Sequence, residues 1–160
     1  MKSFLSKLVT ASALLGALSL LLISLVTVAD IVGRQFGHPV PGAYDIVRIL
    51  GAVAIAAALP LSKAAKAHIA IEYFFQKLRR PGRVLVDTLS RVCLLALFAG
   101  LAFEFARQGA IFRESGETTV TLHLPVFWVW WVASAAAALT ALVTLWHLLH
   151  PGKTLFRPKP

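Results

Sequence analysis

Pairs of ionisable residues at helical spacing are the features of this 160-residue sequence that could do chemistry. His68 and Glu72 stand four apart in "KAHIAIEYFFQKLRRPGR", residues 66–83, and would share one face of a helix. Such a pair suits acid–base work or two-point metal coordination. A structural zinc needs four ligands, and no third partner lies nearby in the sequence. A local His–Glu pair or a partner contact is therefore the favoured reading. His147 and His150 are three apart at the end of the last apolar run and read as residues of the membrane boundary rather than ligands. Asp45 with Arg48, and Asp87 with Arg91, are spaced for pairing within a helix. Arg48 stands about a turn inside its apolar run, where a polar partner from another helix or subunit would lower its cost. We expect no catalytic residue, bound cofactor or metal in this chain.

These residues are positioned by long apolar runs. Apolar residues make up 58% of the chain and charged residues 14%, about half the charge of a soluble domain. Four runs are long enough to cross a bilayer as helices, at about 8–29, 44–61, 84–105 and 125–149. Unpaired backbone amides are too costly in lipid for any other local structure. The expected fold is an all-α integral membrane protein, a single four-helix domain over residues 1–160. Pro60 and Pro125 read as helix-end prolines. Lys2 and Lys7 before the first run resemble a signal peptide, but the run exceeds the usual 7–15 apolar residues and reads as a retained span. Cys93, the single cysteine, allows no internal disulfide and reads as a small buried apolar side chain.

Between the second and third runs the spacing predicts an amphipathic helix over about 66–80, lying on the membrane surface. Ile71, Phe74, Phe75 and Leu78 form its apolar stripe. Phe74 and Phe75 would sink into the acyl boundary, and Lys77, Arg79, Arg80 and Arg83 would meet anionic headgroups. Trp128, Trp130 and Trp131 fit an aromatic belt at the other membrane face. Eleven of the sixteen Lys and Arg residues lie in the N-terminus, the middle loop or the C-terminal tail. By the positive-inside rule both termini and that loop are cytoplasmic. The net charge of +9 is thus spent on topology and lipid, not on nucleic acid. Small residues (Gly51, Ala52, Ala54, Ala56, Ala58, and Ala133, Ala137, Ala141) supply faces for close helix packing.

Three function classes remain open on the residues alone. A haem-bearing electron-transfer anchor would need facing histidines at mid-span, and all five histidines fall in loops or at helix ends. A stand-alone four-helix protein with its own small pore is a second class. An accessory bundle of a larger membrane complex is the third and the favoured one. The sequence shows no inverted repeat, Walker motif or nucleophile elbow.

The order of short motifs resembles the small membrane subunit of TRAP transporters, the tripartite ATP-independent periplasmic systems (DctQ-like). "GRQFGHPVPGAYDIVR" (33–48) is similar to the family's outer loop, with an acidic residue opening the second helix. "AHIAIE" (67–72) is similar to its His-Ile-x-Val-Asp segment, "RRPGR" precedes an aspartate-bearing span, and "TLHLP" (121–125) resembles the Leu-x-Ile-Pro start of the last helix. Asp45 replaces a more frequent glutamate and Glu72 a more frequent aspartate. A tryptophan often seen in the second helix gives way to "GAVAIAAALP". The resemblance implies a bacterial inner-membrane protein packed against a larger, DctM-like membrane subunit. That subunit would carry the sodium and organic-acid sites, supplied by a soluble DctP-like periplasmic binding protein. It makes Arg34, Asp45, Arg48, His68 and Glu72 candidates for the partner interface.

Overall fold

Helix α1 runs from Lys2 to Gln35 and α2 from Ala43 to Ala64, while α3 spans Arg80–Ser115 and α4 Phe127–Leu149. The computed structural model describes residues 2–64 and 80–149, with side chains for 4–64 and 88–149. The expected surface helix over 66–80, with His68, Glu72, Phe74, Phe75, Lys77 and Arg79, lies outside the described residues, as does His150. Arg80 instead opens α3, with Pro81 next to it in the first turn, where a missing N–H costs nothing.

All four helices are apolar enough, and long enough, to cross a membrane. They overrun the expected spans because polar ends continue the helical backbone: Asp30 with Arg34 extends α1, and Glu104 with Arg107 and Gln108 extends α3. Pro60 is a correction. It lies inside α2, fully buried, not at a helix end. Its ring removes the amide that would bond the Ala56 carbonyl. On the next carbonyl, that of Ala57, the Ser12 hydroxyl of α1 donates a 2.6 Å hydrogen bond. Neighbouring hydroxyls are a common way for membrane helices to tolerate such a break.

The helices pack in the order α1–α2–α4–α3, with α1 touching α4 only slightly. The seam of α1 is narrow. Leu5, Val9, Gly16 and Ser19 are buried and Ser12, Ile23, Val26 and Asp30 half-buried, a spacing that alternates fours and threes as in a left-handed coiled coil. At Gly16 a methyl group would stand 3.3 Å from the Ala54 carbonyl and 3.5 Å from the Ala57 methyl, so the backbones approach closely. Thr140 and Thr144, fully buried in α4, donate to their own helix at Ala136 and Thr140. Ser134 donates across to the Ala102 carbonyl of α3. The bundle interior is therefore not free of polar groups, but every hydroxyl named here is satisfied by a backbone carbonyl.

At the end that carries the start of α1, an apolar cluster of Leu5, Val9, Ala64, Val143 and Trp146 joins three helices. Among the described residues, edge helix α3 packs chiefly on α4, which leaves much of its circumference free. Cys93 accordingly corrects the sequence reading: it is exposed on α3, not buried.

Candidate functional site: the loop end of the bundle

The connections 36–42 and 116–126 meet at one end of the bundle, and two carboxylates hold them. Helix α1 closes in a Schellman motif: His38 N–H bonds the Gly33 carbonyl at 2.8 Å, and Gly37 N–H the Arg34 carbonyl at 3.2 Å. Gly37 has φ +76°, the left-handed conformation the motif requires. Asp30, one turn back on α1, accepts from Arg34 Nε at 2.9 Å through one oxygen and from Val40 N–H at 3.0 Å through the other. The first loop is thus tied to the helix it leaves.

The second loop is tied to a helix distant in sequence. Asp45, in the first turn of α2, is 2% exposed. Its Oδ2 accepts the backbone N–H of Thr121 at 2.8 Å and of Leu122 at 3.0 Å. A carboxylate at a helix start also meets the positive end of the helix dipole. Inside the loop, Thr119 and Leu124 exchange bonds: Thr119 N–H to the Leu124 carbonyl at 2.9 Å, and Leu124 N–H to the Thr119 hydroxyl at 3.1 Å. His123 takes φ +51° to close this turn. Val126 N–H reaches the Glu117 carbonyl at 3.3 Å, and Thr118 bridges Pro125. Gly42, just before α2, completes the lock. It has φ +74°, and the Leu122 side chain occupies the space a Cβ would need.

Around this lock the surface mixes apolar side chains with charges of both signs, Glu114 and Glu117 among them. Phe36, Tyr44 and Val120 are strongly exposed, and so are Arg34 and Arg48. Of the sequence candidates, Asp45 is therefore internal, Arg34 is bound to Asp30 while staying accessible, and Arg48 lies on the free face of α2 with no ion pair to Asp45. The structure brings Asp45 to the "TLHLP" segment, two motifs that the sequence presents 76 residues apart.

The tryptophans divide. Trp130 packs between Phe105 and Phe112 of α3, with ring centroids 5.8 and 5.4 Å away. Trp131 covers Gly109, where its indole takes the place of a side chain, stands edge-on to Phe127, and receives the Arg113 guanidinium at 5.7 Å. Trp128 and Trp131 remain partly exposed. At the opposite end Arg91 donates to the His147 carbonyl at 2.6 Å, one of the last-turn carbonyls that α4 itself cannot satisfy. His147 is buried beside Trp146, where the sequence suggested a residue of the membrane boundary. Sequence reasoning missed Thr119 and Ser12, and it took Asp30 for a span-edge residue explained by local pairing without seeing its bond to the loop. The "D-x-x-x-R" spacing at Asp30 was the one available signal.

Four apolar helices of membrane length, locked at one end by the Asp30 and Asp45 carboxylates, define a multi-pass membrane protein. Among curated proteins no relative matches the chain. The family model for the DctQ component of tripartite ATP-independent periplasmic transporters matches residues 23–152, from the middle of α1 to beyond α4. The chain belongs to that family and is a transporter component, the small permease subunit.

Proposed function

We propose that this protein is the accessory subunit of a sodium-coupled TRAP transporter that imports an organic acid across a bacterial inner membrane. The family match over residues 23–152 carries this reading. The chain packs against and anchors the large transport subunit, which binds sodium and solute, and its locked loops help dock the periplasmic binding protein. The distribution of Lys and Arg supports cytoplasmic termini, with the loop end facing the periplasm.

The structure supports an accessory role through the use it makes of polar groups. Asp30 and Asp45 are spent on loop amides, Arg91 on a helix end, and Ser12 and Ser134 on neighbouring helices. Arg34, Asp45 and Arg48 serve the periplasmic side of the assembly, Asp45 by fixing the loop that partners meet. His68 and Glu72 serve an inner contact, and Phe74, Phe75, Lys77, Arg79, Arg80 and Arg83 the membrane surface.

Co-purification of the tagged chain with a larger multi-span protein from native membranes tests the reading. Uptake of organic acids should follow a sodium gradient in vesicles holding all three components and stop without this chain. Uptake that survives its deletion refutes the proposal.

A further inference from the structure

We infer that the free face of α2 around Arg48 docks a helix of a larger membrane protein, one that presents a carboxylate level with Arg48. This rests on the proposed role as a subunit and adds which face is used and what chemistry meets it.

Helix α2 is central, with α1 on one flank and α4 on the other, and yet one stripe of it is open. Tyr44, Arg48, Ala52 and Ile55 fall at successive turns along this stripe, with Tyr44 76% and Ile55 72% exposed. Gly51 lies beside the stripe with nothing near the position a Cβ would take. The stripe thus offers a low ridge against which a second backbone can approach.

Arg48 makes the face more than a lipid-facing surface. It stands about 7.5 Å along the helix from Ala43, and Ile55 about 18 Å, at 1.5 Å per residue. Asp30, Asp45 and Glu104 each hold other groups, and Glu114 stands at the far end of α3, a helix that packs on α4. Asp30 holds Arg34 and Val40, Asp45 holds Thr121 and Leu122, and Glu104 holds Arg107 and Gln108. Arg91, the other arginine well inside an apolar helix, reaches a helix-end carbonyl. Arg48 makes no hydrogen bond or contact ion pair among the described residues, and its charge reaches only the Asp45 carboxylate one turn back, whose Oδ2 already accepts the Thr121 and Leu122 amides. With Asp45 held by the loop amides, the guanidinium on this apolar face is left room for a second, directly bonded anion from outside the chain. A second copy docked through the same stripe about a two-fold axis would set Arg48 against Arg48, which like-charge repulsion opposes. A partner helix with a carboxylate satisfies both the charge and the ridge.

The test uses the full chain co-expressed with its genomic neighbours in native membranes. A benzophenone amino acid is placed at Ile55, and separately at Phe103 on the free face of α3. Ile55 should give an adduct with the larger multi-span protein and Phe103 should give far less. Arg48→Glu should cut recovery of the large protein about tenfold or more, and Arg48→Lys should keep most of it. A lipid-soluble carbodiimide should join the two proteins in the Arg48→Lys variant by an amide bond. Helicity and thermal unfolding of the isolated Arg48→Glu chain should match the parent, which separates docking from folding. If the large protein co-purifies but Ile55 captures only lipid or a second copy, the docking face is wrong and the subunit role stands. The docking face is equally wrong if Arg48→Glu leaves recovery unchanged. If the parent chain recovers no large protein, both fall.

Discussion

The Asp45 carboxylate and the Leu122 amide, 77 residues apart in sequence, lie 3.0 Å apart at the loop end of the bundle. Together with Thr121 N–H at 2.8 Å, this contact fixes the α3–α4 loop to the first turn of α2. Asp45→Ala leaves two partly buried amides without their acceptor. Hydrogen exchange over residues 118–126 should accelerate in this variant, and Asp45→Asn, which keeps one acceptor oxygen, should fall between it and the parent. Uptake should decline in the same order with membrane levels maintained. Unchanged exchange would show that the loop holds itself through Thr119 and Leu124 alone.

Gly42 is required twice, for its φ of +74° and for the space Leu122 fills. Gly42→Ala should cost about 1–2 kcal/mol from the left-handed backbone, with an added penalty from the Leu122 clash. Leu122→Ala in the same chain should recover the clash part but not the backbone part. Thermal unfolding in detergent measures both, and strict additivity of the two substitutions would argue against the contact.

Helix packing, more than hydrogen bonding, should dominate the α1–α2 seam. Ser12→Ala removes a cross-helix bond that averages about 0.6 kcal/mol in membrane bundles and should hardly lower stability. Gly16→Leu must instead push α1 off the Ala54 carbonyl and the Ala57 methyl and should disrupt the pair. A protease-resistance or unfolding assay that ranks Ser12→Ala as the worse change would overturn this view.

Trp130 is the anchor between α3 and α4. Its two aromatic neighbours at 5.8 and 5.4 Å contribute about 2 kcal/mol together beyond simple burial. Trp130→Ala should therefore destabilise the bundle clearly, while Trp128→Ala should be close to neutral. Equal effects in thermal unfolding would return both residues to a belt facing lipid.

Much of this architecture is legible in the sequence, because about 20 apolar residues in lipid have few choices besides a helix. The four apolar helices follow from that constraint. The packing order α1–α2–α4–α3 does not. In lipid the free faces are as apolar as the buried ones, so Leu18 and Val9 of α1 carry no label for outside and inside. Cys93 shows the same limit: its type suggests burial, but an edge helix offers few places to be buried. Asp45 announces itself as an acid at the start of a helix, and its use depends on a loop that arrives only after α3. Pro60 reads as a stop, and yet the helix runs through it to Ala64, a continuation its residue type does not announce.

The topology proposed from Lys and Arg counts meets the structure at the loop end, and it can be checked with one chemistry. Exposed Cys93 is the single native thiol and is first replaced by serine. New cysteines at Phe36 and Val120, both strongly exposed on the locked loops, should react with a membrane-impermeant maleimide added to whole spheroplasts. Cysteines at Lys66 and at Lys153 should react only after the membrane is opened. The reverse pattern would place the Asp30 and Asp45 locks in the cytoplasm, out of reach of a periplasmic binding protein, and would remove the docking role while leaving the Arg48 face intact.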